Sequence, residues 1–305
     1  MLLALQGAVS QGILWGVMVL GVYITFRLLN IPDMTVDGSF ALGGCVCAVA
    51  CVNLGLNPWI ALLFAMIAGA AAGCVTGILH TVFEIPAILA GILSMISLWS
   101  INLRIMGKSN TPLLQVDTIF SGIVKATGLP QSLVSLLFGL VFAVVIVAVL
   151  YWFFGTEIGS ALRATGNNED MVRALGVDTR QTKVLALTIA NALVGLAGGL
   201  VCQSQKYADI GMGTGAITIG LAAIVIGEVL GRLTPGKLTA FAPRLIAAVV
   251  GSVVYFIIRA IVLQLGMNAN DMKLLSAIIV VAALSVPVVS ERLGARRAYQ
   301  KGGAA

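Results

Sequence analysis

Apolar residues run through this chain in long unbroken blocks, with none of the two-residue alternation of a half-buried strand. A helix crossing the hydrocarbon core needs about 20 predominantly apolar residues. Blocks of that kind, bounded by charge, proline or glycine, cover nine stretches: 7–28, 39–53, 58–82, 86–106, 131–154, 183–203, 211–230, 243–265 and 273–289. The second block is short, and Gly38, Gly43 and Gly44 leave both a crossing and a broken or re-entrant helix open there. The pattern predicts an all-α polytopic membrane protein of about nine transmembrane helices.

Composition sharpens the prediction. Of 305 residues, 59% are hydrophobic and only 10% charged, against about 25% charged in an ordinary soluble domain. With a mean hydropathy of +1.06, there is too little polar surface to cover a water-soluble globule. Soluble enzymes, nucleic-acid binders and disordered scaffolds are thereby excluded, and the net charge of +6 belongs to membrane topology. The first residues, Met1 to Gln11, carry no positive charge, so the first block is expected to be retained and not cleaved as a signal peptide. Cys45, Cys47, Cys51, Cys74 and Cys202 all lie inside apolar blocks, which suits small packing residues better than a disulfide framework or a zinc site.

Positive charge then orients the blocks. Nine crossings put Arg27, Arg163, Arg173, Arg180, Lys183, Arg232, Lys237, Arg244, Arg292, Arg296, Arg297 and Lys301 on one side. Arg104, Lys108, Lys125, Lys206 and Lys273 fall on the other. The richer side is predicted to be the cytoplasm, with the C-terminus inside and the N-terminus outside. Asp33, Gly44, Val49, Leu54 and Gly55 recur 176 residues later as Asp209, Gly220, Val225, Leu230 and Gly231. That recurrence suggests an inverted repeat of four plus four: 1–106, a linking helix at 131–154, and 183–289, followed by a tail at 290–305. Inverted repeats are a transporter design, because two packings of the halves give alternating access.

The polar connection 155–182 carries the densest local signals. Asn167 or Asn168 can N-cap a short helix of about eight residues, with Glu169 and Asp170 in its first turn, where the helix dipole favours acids. Arg173 stands near its end, followed by Ala174 and Leu175, and Gly176 occupies the expected C′ position. Asp178 then caps the next block, with Gln181 three residues on. A short capped helix carrying both signs of charge fits a docking element for a cytoplasmic partner. An ordinary loop is the plain alternative. Residues 231–239 nearly spell a phosphate-binding loop, but Leu238 stands where a Ser or Thr would ligand magnesium, and Pro235 occupies the cradle. No ATPase machinery is therefore expected in this chain.

Ionisable residues at membrane depth are expensive and are read first as functional. Glu228 lies near the inner end of its block, Arg259 two-thirds along its own, and Glu84 at an inner mouth, while Asp33 and Asp37 flank the short block. For Glu228 and Arg259 the bland reading is a structural ion pair or snorkelling to the interface. His80 and Glu84, at i and i+4, are expected to share a helix face. Gly69, Gly73 and Gly77 form a small-residue stripe that lets another helix approach, within or between subunits. There is one His and no nucleophile placed to use it, so no catalytic site is expected.

Three stretches resemble a known family. Ile31–Gly44, Ala90–Gly107 and Gly220–Glu228 closely resemble motifs of bacterial ABC-importer permeases of the tryptophan/tyrosine type, a group within the branched-chain amino-acid and ribose permease family. The likeness covers nearly the whole chain. It implies a type II importer-like fold, a single permease domain in the bacterial cytoplasmic membrane, and a second permease copy. It also implies two cytoplasmic ATPase subunits holding ATP and magnesium, and an extracytoplasmic solute-binding protein that delivers an amino acid such as tryptophan or tyrosine. The family's coupling helix falls in 155–182, which assigns Arg163 and residues 167–176 to ATPase contact. An ion- or proton-coupled secondary transporter using Glu228 or Glu84 is the alternative, and no nucleic-acid partner is expected.

Overall fold

The computed structural model describes residues 2–114, 116–232 and 241–266, together with 271, 274, 276–279, 281, 282 and 285. The predicted ninth block, 273–289, falls mostly outside these residues. The tail at 290–305, Lys237, Lys273 and most of the near-miss phosphate loop fall wholly outside them. Among the described residues, eight helices are long and apolar enough to cross a membrane. They are α1 (Leu2–Tyr23, continued by a π-helical turn to Leu28), α2 (Thr35–Val52), α3 (Pro58–Thr81), α4 (Ala87–Met106), α6 (Gln131–Gly155), α9 (Thr179–Gln205), α10 (Ala216–Arg232) and α11 (Phe241–Gln264). The short helices α5 (Ile119–Thr127), α7 (Glu157–Asn167) and α8 (Glu169–Ala174) lie between them.

Proline and glycine set the helix ends. Asn57 accepts a hydrogen bond from the Trp59 amide, and Pro58 fills the first helical position of α3, where a missing N–H costs nothing. α3 stops at Thr81, Glu84 turns the chain at φ +57°, Pro86 takes the N-cap position of α4, and Gly107 closes α4 at φ +67°. The 107–130 stretch is more than a loop. Its segment β1 (Asn110–Pro112) pairs antiparallel with β2 (Tyr207–Asp209), Thr111 opposite Ala208, and a Thr118–Ser121 capping box starts α5. The chain is thus nearly, not wholly, α-helical.

Of the two readings left open for the short second block, the structure has the unbroken helix. α2 is one continuous helix of 18 residues, buried along most of its length, about 27 Å at 1.5 Å per residue. Its glycines do not break it. A Cβ on Gly43 would stand 2.0 Å from the Gly195 carbonyl oxygen, so the glycine is where α2 lies against α9. The stripe on α3 does the same along α9. Cβ atoms on Gly69 and Gly73 would each come within 2.3 Å of backbone oxygens, of Asn191 and Leu187. The stripe therefore serves packing inside the subunit. α9 runs through the middle of the bundle, with α1, α2 and α3 around it and α11 on the far side of α1. Four of the five cysteines are buried, and all five are free thiols.

Contacts between chain ends define two poles. Arg27 pairs with Glu228, Asn30 donates to the Gly166 carbonyl at 3.2 Å, and Arg180 pairs with Glu84 at 3.2 Å, which gathers these residues with α7 and α8 at one pole. The β1–β2 pair and α5 sit at the other, tied by Gln203, which donates to the Pro58 carbonyl and accepts from the Ile119 amide.

Candidate coupling and translocation sites

Four of the acids singled out above, Asp33, Asp37, Glu84 and Glu228, do structural work at the ends of α2 and α10, or at one pole. Asp33 is 1% exposed and sits opposite Asn191, midway along α9. One carboxylate oxygen accepts from the Thr35 amide at 2.9 Å and the other from the Asn191 amide group at 2.7 Å. Burying a carboxylate is tolerable only with such partners. Beside it, Thr35, Thr76 and Ser94 join α2, α3 and α4 through hydroxyl hydrogen bonds of 2.8 and 2.7 Å. Asp37 lies within α2's first turn and not beyond it. Its carboxylate accepts from the Gly215 and Ile217 amides, both at 2.9 Å, capping α10 from the facing helix.

These bonds make Asp33 a fold determinant with a measurable cost. Leaving a buried donor without its acceptor costs about 1–3 kcal/mol. Asp33→Ala, which strands two donors, should lower stability by about 3 kcal/mol or more, while Asp33→Asn, which keeps one acceptor, should lose roughly half of that. Thermal midpoints of the two purified variants check the ranking. Equal midpoints would contradict it.

Glu84 and Glu228 both lie at the pole that carries α7 and α8. The expected His80–Glu84 helix face does not exist. The α3 helix ends at Thr81, Glu84 takes a left-handed φ of +57°, and it turns to Arg180 while His80 meets the Ile85 carbonyl at 2.9 Å. Glu228 is held in an ion pair, its partner being Arg27. Arg259 lies over the Phe256 ring at 5.7 Å. It lines a cavity of about 700 Å³ with Gln11, Trp15, Gln205, Tyr207 and Thr218, which reaches from the β2 pole to Gly215 at α10's start. That cavity was not legible in sequence, because its lining is drawn from positions as far apart as Gln11 and Ser276.

The 155–182 connection is two helices at right places for capping. Thr156 caps α7, a helix the sequence reading missed although Thr156-Glu157 and the spacing of Gly159, Leu162 and Thr165, its buried face, mark it. Asn168, not Asn167, caps α8 by accepting from the Met171 amide at 3.0 Å. The α8 helix has six residues, shorter than expected, and Gly176 follows at φ +86°. Asp178 accepts from the Arg180 and Gln181 amides at the start of α9.

Glu169 is the hub of this segment. It receives Lys183 at 2.6 Å, Arg173 at 3.0 Å and the Thr179 hydroxyl at 3.1 Å. The Lys183 bond is the main reason its carboxyl is held below the usual carboxylate range. α8 is thus strapped onto α9's first turn. Val172 faces inward, whereas Met171 and Leu175 are 51% and 75% exposed, one turn apart on the outer face. Asp170, Arg173, Ala174 and Gly176 are exposed with them, and Arg163 points elsewhere, over the Phe241 ring at 5.3 Å.

Comparison with known proteins places this architecture. Residues 4–284 match the family model described as branched-chain amino acid transport system / permease component. The chain is 38% identical over 276 residues to a tyrosine transport system permease protein of Clostridioides difficile, covering 90% of this chain and 88% of that one. It is 34% identical to an uncharacterised protein of Rickettsia prowazekii, over 91% and 95% of the two chains. With the ribose import permease of Escherichia coli the identity is 25%, over 83% and 76%.

Proposed function

The chain belongs to the family of permease components of branched-chain amino acid transport systems, and from that premise we propose that it forms the translocation path of an ATP-driven importer for an amino acid of the tyrosine class. The observation that carries the reading is the strapped helix α8, which presents Met171 and Leu175 outward at the pole where basic residues gather. In this reading that pole is cytoplasmic, the N-terminus lies outside, and two ATPase subunits grip α8 from below. A second copy completes the path, and a solute-binding protein delivers the amino acid at the β1–β2 pole. The 38% identity to a tyrosine permease supports the substrate class.

An inverted repeat would supply the rocking halves, and paired local geometry supports it. Asn30 and Lys206, 176 residues apart, both take left-handed φ, +54° and +60°. Three residues on, Asp33 and Asp209 each accept the amide two positions ahead, at 2.9 and 2.7 Å. Gly44 approaches Gly198 across α2 and α9, and the equivalent positions Gly220 and Val22 approach across α10 and α1.

Tagged protein drawn from its native membranes in mild detergent should bring down an ATPase, and tyrosine uptake in vesicles should require ATP hydrolysis. Because the half-exposed Arg27–Glu228 pair contributes about 0–1 kcal/mol, Glu228→Gln should transport within about twofold of the parent. No ATPase, together with complete loss in Glu228→Gln at normal membrane insertion, would instead make this a proton-coupled carrier.

A further inference from the structure

A second cavity, about 780 Å³, opens at the α7–α8 pole between α1, α7, α10 and α11. Arg27, Arg163 and Arg244 line it together with one acid, Glu228. The excess charge is positive. Arg163 is the telling residue. Its guanidinium lies over the Phe241 ring, and one terminal nitrogen reaches Ser160 at 3.4 Å.

Arg163 and Phe241 are shared with an adjoining groove of about 500 Å³, walled by Tyr151, Trp152 and Phe154. That groove continues along the outward face of α6, where Val141, Val145 and Val149 are 53–60% exposed and Trp152 is 71% exposed. Trp and Tyr at the end of an apolar span mark the level of lipid headgroups. A basic cavity thus opens sideways onto an apolar surface at headgroup level. A diffusing nucleotide or phosphate would need the first feature only; a lipid needs both.

We propose that this site holds an anionic phospholipid, its phosphate on Arg163 and Arg244 and its acyl chains along Trp152 and the valine face of α6. A planar guanidinium binds a phosphate through two parallel N–H bonds. The lipid would then wedge α7 against the ends of α1 and α11, on the approach to the coupling segment. The inference is independent of which solute is carried.

Native mass spectrometry of the full-length protein, titrated with phosphatidylglycerol or phosphatidylcholine of matched chains, tests it. Phosphatidylglycerol should be retained in preference. Arg163→Gln should weaken its retention about fivefold, the worth of one basic residue near a lipid surface, and Arg244→Gln serves if that variant does not fold. Trp152→Ala should weaken it as well, while Arg104→Gln, in the last turn of α4 at the opposite pole, should change nothing. Equal retention of the two lipids, or unchanged retention in both arginine variants, overturns the proposal. So does inorganic phosphate that displaces phosphatidylglycerol while Trp152→Ala binds it normally, since the site would then serve a free anion.

Discussion

Gly195→Leu should yield no monodisperse protein in detergent, and Gly43→Ala, the addition of one methyl group, should already destabilise the fold severely. Gly195 is where α2 and α3 both reach α9. Its own Cβ would stand 2.6 Å from the Ala65 carbonyl oxygen, and a Cβ on Gly43 would stand 2.0 Å from the Gly195 oxygen. Both obstacles are backbone, so no side-chain rotamer relieves them. Helices must separate, and the loss spreads along the whole seam. Overpacking in a core costs about 1–3 kcal/mol even where side chains can adjust; here the cost for Gly43→Ala should reach the upper end or beyond. Gly122→Ala is the control, because a Cβ there meets nothing within 4 Å and alanine favours the α5 helix by roughly 0.5–1 kcal/mol. Size-exclusion profiles and thermal midpoints of the three variants decide the matter. A Gly43→Ala protein as stable as the parent would show that α2 does not lie on α9 as described.

The same glycines show how far sequence reading reaches. The eight described spans, a cap at Asn167 or Asn168, the cap at Asp178 and the stripe on α3 follow from local patterns of three to twenty residues, and are visible without a structure. What the stripe packs against is not, because Gly69 and Asn191 are more than a hundred residues apart. Gly43 and Gly44 looked like helix breakers for the same reason: a glycine that permits close approach and one that permits a bend are identical in sequence. The acids misled in a related way. Asp37, read as flanking its span, caps a helix 178 residues away through Gly215, and Glu84 leaves the helix it was expected to share with His80. Position in a span is local information, and a partner is not.

Met171→Asp combined with Leu175→Asp should reduce ATP-driven uptake to background while leaving the spans intact. The two side chains are the apolar part of α8's outer face, 51% and 75% exposed, one turn apart, where residues on a helix share a face. An apolar helix face without a partner in the chain is the kind of surface that enters a groove on another protein. Two carboxylates placed there cost the permease little, since both positions face solvent, but they would have to be stripped of water in the groove, at a cost of several kcal/mol. That converts to a loss of on the order of a hundredfold or more in ATPase affinity. Arg173→Glu acts differently. Arg173 belongs to the Glu169 hub at 3.0 Å, so reversing its charge loosens the strap without touching the apolar contact, and it should leave partial transport. Glu169 also sets the pH dependence. Its carboxyl is held below the usual range by Lys183, so the strap is fully present at neutral pH and is lost only as pH falls through the lowered folded-state value, below the ordinary carboxylate value near about 4.3. Uptake should therefore be flat between about pH 6 and 8 as far as the strap is concerned. Co-purification of the ATPase with the parent, its absence with the double aspartate variant, and normal membrane insertion of both would place the coupling contact on Met171 and Leu175. Full uptake in the double variant would move that contact off α8, and the exposed end of α7 at Asn167 would be the next surface to change.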